Sequence, residues 1–489
     1  MSDSKSNLSS VDRVIRQGPY EDNWTSLSKH PVPQWYQNDK FGIFIHWGAY
    51  SVPAFNSEWY PRNMYIEDSP EYKHHLETYG EHKLFGYADF IPLFKGEKFD
   101  AEQWASLFAA SGARYVMPVA EHHDGFQMYD SQLSDWNAAQ MGPKKDILGL
   151  LKDAVEAKGM RICASSHRAE NYWFFNGART FDSGLQNISF QEPYGYASPE
   201  VSDKTTHDVA SPGPSQAHLE DWLMRTCELI DKYQPKVLWF DWWILNQAFK
   251  PYLKKLAAYY YNRAAEWGEE VAINYKYDAF ALNTAVFDIE RGQLSNIRRQ
   301  LWQNDTAIAK NSWGYTENNQ FKDATDLICD LVDIVSKNGC LLLNIGPRAD
   351  GTITEEEQLV LLRIGKWLKT NGEAIYDTTT WTVFGEGETE IPEGAFTDVN
   401  RATFTPEDIR FTYNAPYLYA TVLKWPETGQ VRIQALKKES KTFNGVIKDI
   451  SLLGFDQNIS WSQTPEGLVI ETGLNLNTDE PICLKLTID

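Results

Sequence analysis

From Lys40 onward the chain alternates short apolar runs with amphipathic segments. The runs are FGIFIHW (41–47), RYVMPVAEHH (114–123), RICASSH (161–167), VLWFDWW (237–243), VAINYK (271–276), AVFDIE (285–290), KNSWGY (310–315) and CLLLNIG (340–346). Each has the length of a buried strand, so the pattern predicts eight strands. Between most of them, segments 101–113, 146–159, 215–233, 251–268 and 323–339, with 355–372 after the last, carry apolar residues at three- and four-residue spacing. Most close on or beside a Gly, as helices do. Strands alternating with helices build parallel βαβ units. Eight such strands favour a (β/α)8-like barrel over a doubly wound sheet. No Gly-x-Gly-x-x-Gly follows any strand, which argues against a dinucleotide site.

After about Tyr376 the texture changes. TTTWTVFGEG, DIRFTYNAPYLYATVLKWP, QVRIQALKK and GLVIETG alternate apolar and polar residues around Gly, Pro and Asn. That pattern predicts a C-terminal antiparallel β-sandwich domain. The expected division is an N-terminal arm over 1–30, a (β/α)8-like catalytic domain over 31–376, and a β-sandwich over 377–489.

Composition narrows the partners. The formal net charge is −21, which argues against nucleic acid, and no Gly-rich phosphate loop is present. Neutral substrates fit better. Aromatics make up 14% of the 489 residues, and such rings cover the C–H faces of sugars. Five scattered Cys without a Cys-x-x-Cys indicate neither a disulfide framework nor a zinc knuckle. No run approaches 18 apolar residues, so no membrane partner is expected. The first residues lack an apolar signal core. The expectation is a cytoplasmic protein, with a trimmed secreted form as the alternative; a homo-oligomer is compatible with the sequence.

In a (β/α)8 barrel, active-site groups stand at the C-terminal ends of the strands. Here those ends collect polar and aromatic residues: His46-Trp47, Glu121-His122-His123-Asp124, Ser165-Ser166-His167-Arg168, Asp241-Trp242-Trp243, Lys276, Glu290-Arg291 and Trp313-Gly314-Tyr315. Asp241 stands out because its six neighbours in VLWFDWW are apolar or aromatic, and an unpaired buried carboxylate is costly. It is a salt-bridge partner, a metal ligand or a catalytic group. Asp241 with Glu290 makes a carboxylate pair suited to glycosidic bond cleavage, one ionised and the other protonated. Pattern alone leaves Glu121 and Glu58 as rivals of Glu290, and Arg291 offers Glu290 a structural partner. His122 and His123, adjacent in a strand, are expected on opposite sides, and no standard ligand spacing is present, so neither metal nor cofactor is expected. His46, His122 and His123 suit hydrogen bonding to sugar hydroxyls. His74 and His75, in a polar stretch, read as surface residues.

Read together, WYQNDKFGIFIHWGAYSVPAF, SEWYPRNMY, EHHDGF, VLWFDWW, NSWGY and LLLNIGPRADG resemble, in order and spacing, the glycoside hydrolase family 29 α-L-fucosidases. The likeness runs from Trp35 to about Tyr376. It implies a (β/α)8-like domain followed by a β-sandwich, and retaining hydrolysis of terminal α-L-fucosides through a covalent intermediate without metal. It implies Asp241 as nucleophile, His46, Glu58, Trp59, His122, His123 and Trp313 as sugar-binding residues, and Glu290 as acid/base, with Glu58 its rival. Two positions depart from the family pattern. Lys276 stands where an Arg is frequent, and ASSHRAE with His167 stands where Tyr-Tyr-Ser is frequent. A fucosylated glycan is the implied substrate. A non-catalytic carbohydrate-binding barrel and another retaining glycosidase are the alternatives.

Overall fold

The computed structural model describes residues 3–199, 213–398, 403–456, 459–474, 476 and 478–489. Its centre is a parallel sheet of β1 (Phe41–Ile45), β2 (Tyr115–Glu121), a third strand broken into β3 (Arg161–Ile162) and β4 (Ala164–Ser166), β5 (Val237–Phe240), β6 (Ala272–Tyr275), β7 (Val286–Glu290), β8 (Trp302–Ala307) and β9 (Gly339–Ile345). Gly42 of β1 lies opposite both Tyr115 of β2 and Leu342 of β9, so the sheet closes into an eight-stranded barrel. β1 and β9 are buried along their whole length, the pattern of strands covered on both faces.

The six expected helices form over Ala101–Ala110, Ile147–Ala157, Gln216–Tyr233, Lys250–Trp267, Ala324–Ser336 and Glu355–Asn371. Side chains of Asp100, Asp146, Ser215, Asp323 and Thr354 accept the first free backbone N–H groups of five of them. Helix Lys250–Trp267 ends on Gly268 at φ 71°, where a left-handed residue takes up the last carbonyls. Loops rather than helices join β6 to β7 and β7 to β8.

The seventh strand differs from the expectation. Residues 310–315 form a loop, and the strand is β8, WQNDTA. Its polar side chains are buried inside the molecule and bonded there. Gln303 donates to Asp288 Oδ1 at 2.8 Å, and Asn304 donates to the Gly292 carbonyl at 2.5 Å. A strand that faces a polar interior carries no hydrophobic signal. His75 also departs from its reading: it is fully buried in helix Pro70–Thr78 and bonds the Phe85 carbonyl at 2.9 Å, while His74 stacks on Phe55. The stretch expected as an arm carries a helix, Asp3–Gln17, whose Val11 and Ile15 are buried. Tyr20 N–H donates to Asn262 Oδ1 at 2.8 Å, and Lys255 pairs with Asp12 at 2.6 Å, which docks the stretch on helix Lys250–Trp267.

Beyond the barrel come β10 (Thr379–Glu386), β11 (Ile409–Asn414), β12 (Tyr417–Val422), β13 (Gln430–Ile433), β14 (Ile447–Leu452), β15 (Ser460–Gln463), β16 (Leu468–Glu471) and β17 (Ile482–Ile488). They form two antiparallel sheets, β10-β11-β12-β17-β14 and β13-β16-β15, around a core that includes Phe411, Leu418, Trp425 and Ile470. The sandwich is tied to the barrel by a buried ion cluster. Asp333, in helix Ala324–Ser336, meets Lys337 at 2.6 Å and Arg410 of β11 at 2.5 Å. All three are at most 2% exposed. Removing the shared carboxylate leaves two buried cations uncompensated. Asp333→Ala is therefore expected to lose about 3–5 kcal/mol of stability in urea unfolding; a loss under ~1 kcal/mol would show that the cluster does not hold the junction.

Candidate active site

A cavity of about 370 Å³ opens at the C-terminal ends of the barrel strands. All ten residues singled out from sequence line it: His46, Glu58, Trp59, His122, His123, His167, Asp241, Lys276, Glu290 and Trp313. Each follows or ends a strand, or lies in the loop beyond one. Strand β2 stops at Glu121, and the chain turns through Gly125 at φ 78°. His122 and His123 are thus outside the pleat. Both face the cavity with ring centroids 4.1 Å apart, rather than on opposite sides.

Lys276 sits at the floor. Its Nζ lies 2.6 Å from Glu290 Oε2, 3.2 Å from Asp305 Oδ2, 3.8 Å from Asp241 Oδ1 and 4.0 Å from Asp288 Oδ2. The partner of Glu290 is therefore Lys276 and not Arg291, whose guanidinium bonds the Ala309 and Ser312 carbonyls and covers the Trp313 ring. The two candidate catalytic carboxylates touch one nitrogen. Their nearest oxygens are no farther apart than the sum of 2.6 and 3.8 Å, below the roughly 6.5 Å where the inverting range begins.

Their protons are unequally held. Burial pushes the Asp241 carboxyl up, but Lys276, His167 and His123 outweigh it and hold Asp241 well below the usual carboxylate range. Burial raises Glu290, and Lys276 does not fully offset it. Burial also raises Asp305 to about 6 and Asp288 well above its ordinary value. The pair is thus split, one carboxyl biased toward its ionised form and the other toward its protonated form.

The histidines are neutral: burial lowers His46, His122, His123 and His167, with His123 brought down to about 3. Asn344 of β9 donates its amide to the Trp313 carbonyl at 2.7 Å, so its oxygen faces His46 Nδ1, also at 2.7 Å. Nδ1 then carries the proton, and Nε2 is left as an acceptor. Glu58 is held differently. Its Oε2 accepts from Ser312 Oγ and from the backbone N–H groups of Trp313 and Gly314 at 3.0, 2.9 and 3.4 Å. The other rival, Glu121, lies outside the cavity, 3.2 Å from Arg168 and 3.3 Å from Arg225.

Three carboxylates beneath the cavity escaped sequence reasoning. Asp288 lay unremarked inside a run read as a strand, and Asp305 was hidden with its strand. Glu170 is fully buried, and its Oε2 meets His123 Nδ1 directly. Burial raises the Glu170 carboxyl well above its ordinary range, and the ring of His123 presents its Nε2 to Asp241. That Nε2 is 3.9 Å from Asp241 Oδ2, while His167 Nδ1 is 3.5 Å from the same oxygen. The visible signal was a second titratable residue three positions after His167. For a metal, His46, His122 and His167, or His123, His167 and Asp241, offer ligand atoms within 4.8 Å of one another. His46 Nδ1 and His123 Nδ1 are already engaged, so these two would have to ligate through Nε2.

A family model described as alpha-L-fucosidase matches residues 7–373, and one described as alpha-L-fucosidase C-terminal domain matches 402–487. The tissue alpha-L-fucosidase of Rattus norvegicus is 31% identical over 463 residues, covering 92% of this chain and 88% of that protein. The tissue alpha-L-fucosidase of Homo sapiens is 30% identical over 475 residues, covering 95% and 90%. Among solved structures, the Thermotoga maritima alpha-fucosidase in complex with fucose superposes with TM-score 0.75 at 29% identity, covering 96% of this chain and all of that one.

Glu170→Ala removes the group that fixes the His123 ring. Turnover is expected to fall about tenfold or more, while Glu170→Gln, which still donates to Nδ1, keeps most of it. Equal losses in both variants, with unchanged pH profiles, would reduce Glu170 to a packing residue.

Proposed function

The chain belongs to the α-L-fucosidase family, and on that premise we propose that it removes terminal α-L-fucose from fucosylated oligosaccharides or glycoconjugates, with Asp241 as nucleophile and Glu290 as acid and base. It is a glycoside hydrolase, and in this reading a retaining one. The observation that carries the assignment of roles is the single ammonium against both carboxylates, with Asp241 held below its ordinary range and Glu290 raised above its own. In this reading 31–376 is the catalytic unit and 377–489 the sandwich. Among the described residues no helix is long and apolar enough to cross a membrane.

Fucose is bound by its hydroxyls to His46 Nε2, His122, His123 and Glu58, between the rings of Trp59 and Trp313. Lys276 and His167 steady the nucleophile from either side. Asp241 attacks the anomeric carbon as the glycosidic C–O bond breaks, and the Glu290 proton passes to the departing oxygen. Lys276, 2.6 Å away, stabilises the new Glu290 carboxylate. Once Asp241 is an ester its negative charge is gone, and with it one of the influences that held the Glu290 proton. Glu290 is then a base. It takes a proton from water, whose oxygen attacks the same carbon and frees Asp241 with fucose in its original configuration.

Asp241→Ala is expected to abolish release of 4-nitrophenol from 4-nitrophenyl α-L-fucoside, with azide restoring it. For Glu290→Ala, natural glycosides should lose about 10²–10⁴ in kcat/KM, and the nitrophenyl fucoside far less. Equal losses would exclude Glu290 as the acid.

The pH profile follows from the signs. Asp241 must be ionised, so the acid limb lies below 3.8, its ordinary value. Glu290 must be protonated, so kcat/KM falls as pH rises through a value above 4.5. An alkaline limb at or below 4.5 would contradict the assignment.

A further inference from the structure

The segment leaving β10 returns to the barrel mouth before it reaches β11. Gly394 N–H donates to the Gln293 carbonyl at 3.0 Å and Phe396 N–H to the Glu290 carbonyl at 2.9 Å. Thr397 and Asp398 N–H both donate to the Arg291 carbonyl, at 2.8 and 2.9 Å. Asp398 in turn accepts from Thr306 Oγ1 of β8 at 2.6 Å and pairs with Lys322. Residues 394–398 are thereby fixed to the loop that begins with the proposed acid.

Phe396 lines the cavity, yet it is 57% exposed, and its φ is 58°. A bulky side chain is strained in that left-handed region, which Gly or Asn adopts at lower cost. The exposed ring recovers little of that cost by burial. A residue both strained and exposed beside reacting groups is held for what it meets when the site fills. Tyr277, next to Lys276, repeats the combination at 41% exposure and φ 55°, and stands edge-on to Trp242 of the cavity wall at 6.2 Å.

The position identifies which part of the substrate the ring meets. The glycosidic oxygen must lie within hydrogen-bond reach of the Glu290 carboxyl. Fucose occupies the inner side, among His46, His122 and Trp313, so the group bonded to that oxygen extends outward past Glu290. Phe396 is tethered by its own N–H to that residue. We propose that Phe396 forms an aglycone subsite, a platform for the apolar face of the sugar that bears the fucose. The exposed side chains of Lys310 and Asn311, which also line the cavity, supply donors to that sugar's hydroxyls. The C-terminal side of the chain thus takes part in choosing the substrate. This inference rests on the fucosidase reading of the cavity.

The test compares two substrates: α-L-fucosyl fluoride, whose leaving atom carries no ring, and whichever of the α1,2-, α1,3-, α1,4- and α1,6-linked fucosyl-disaccharides the wild type cleaves fastest. The readout is the ratio of kcat/KM on disaccharide to that on fluoride. Phe396→Ala is expected to lower the ratio about tenfold or more, chiefly through KM, and Phe396→Tyr to keep it within about threefold of wild type. An unchanged ratio in Phe396→Ala, or the same drop in Phe396→Tyr, overturns the proposal. Phe396→Gly relieves the backbone strain and is expected not to lower the thermal midpoint; a lowered midpoint would make the ring a folding element and overturn it too. Failure of the wild type to cleave the fluoride overturns the fucosidase reading itself, and the subsite with it.

Discussion

The Lys276 ammonium is 3% exposed and stands among Glu290, Asp305, Asp241 and Asp288, the nearest at 2.6 Å and the farthest at 4.0 Å. At 4 Å a unit pair interacts by about 4 kcal/mol at an effective dielectric of 20. One cation cannot hold four buried anions ionised, so protons must remain on some of them. Burial raises Asp288, Asp305 and Glu290, and the shared ammonium offsets it only in part. Asp241 escapes because two imidazoles add to Lys276 on its side. The asymmetry that a double displacement needs is therefore a consequence of how one ammonium is shared. A Lys suits this position as a compact point charge that several carboxylates can approach at once, whereas a guanidinium favours two oxygens in one plane. That is a physical reading of the departure from the Arg frequent in the family.

The polar interior has consequences for the fold. β8 contributes Gln303 and Asp305 to the inside of the barrel, and the two connections that precede it, 276–285 and 291–301, carry no helix. After β7 the segment 391–398 reaches the Glu290, Arg291 and Gln293 backbone from the C-terminal side. The acid is consequently braced by two parts of the chain about a hundred residues apart in sequence. The sandwich does more than cover the barrel, since its first connection reaches the cavity.

Much of this was legible in the sequence where hydrophobic contrast was high. Asp241 stood out among Trp and Phe, and the six helices were readable because an apolar stripe and a closing Gly or polar cap mark them. The eighth strand, CLLLNIG, was unmistakable for the same reason. WQNDTA was invisible because its polar side chains are satisfied by groups on other strands and loops rather than by apolar packing. His75 looked exposed in EYKHHLETYG, yet neighbouring aromatics and a single carbonyl bury it. The role of Glu170 depends on a contact 47 positions away, with His123, and that of Phe396 on a loop bonded to the far strand. Neither leaves a local pattern; only a strained φ and an unusual exposure reveal Phe396.

The central claim is that Lys276 sets the protonation of both catalytic carboxylates. The pH dependence of kcat/KM for Lys276→Met, measured beside the wild type on a fucosyl-disaccharide, whose leaving group needs the Glu290 proton, tests it most directly. Removing the positive charge should raise both carboxyls, so both limbs of the profile move to higher pH. Limbs that stay at their wild-type positions would contradict the account.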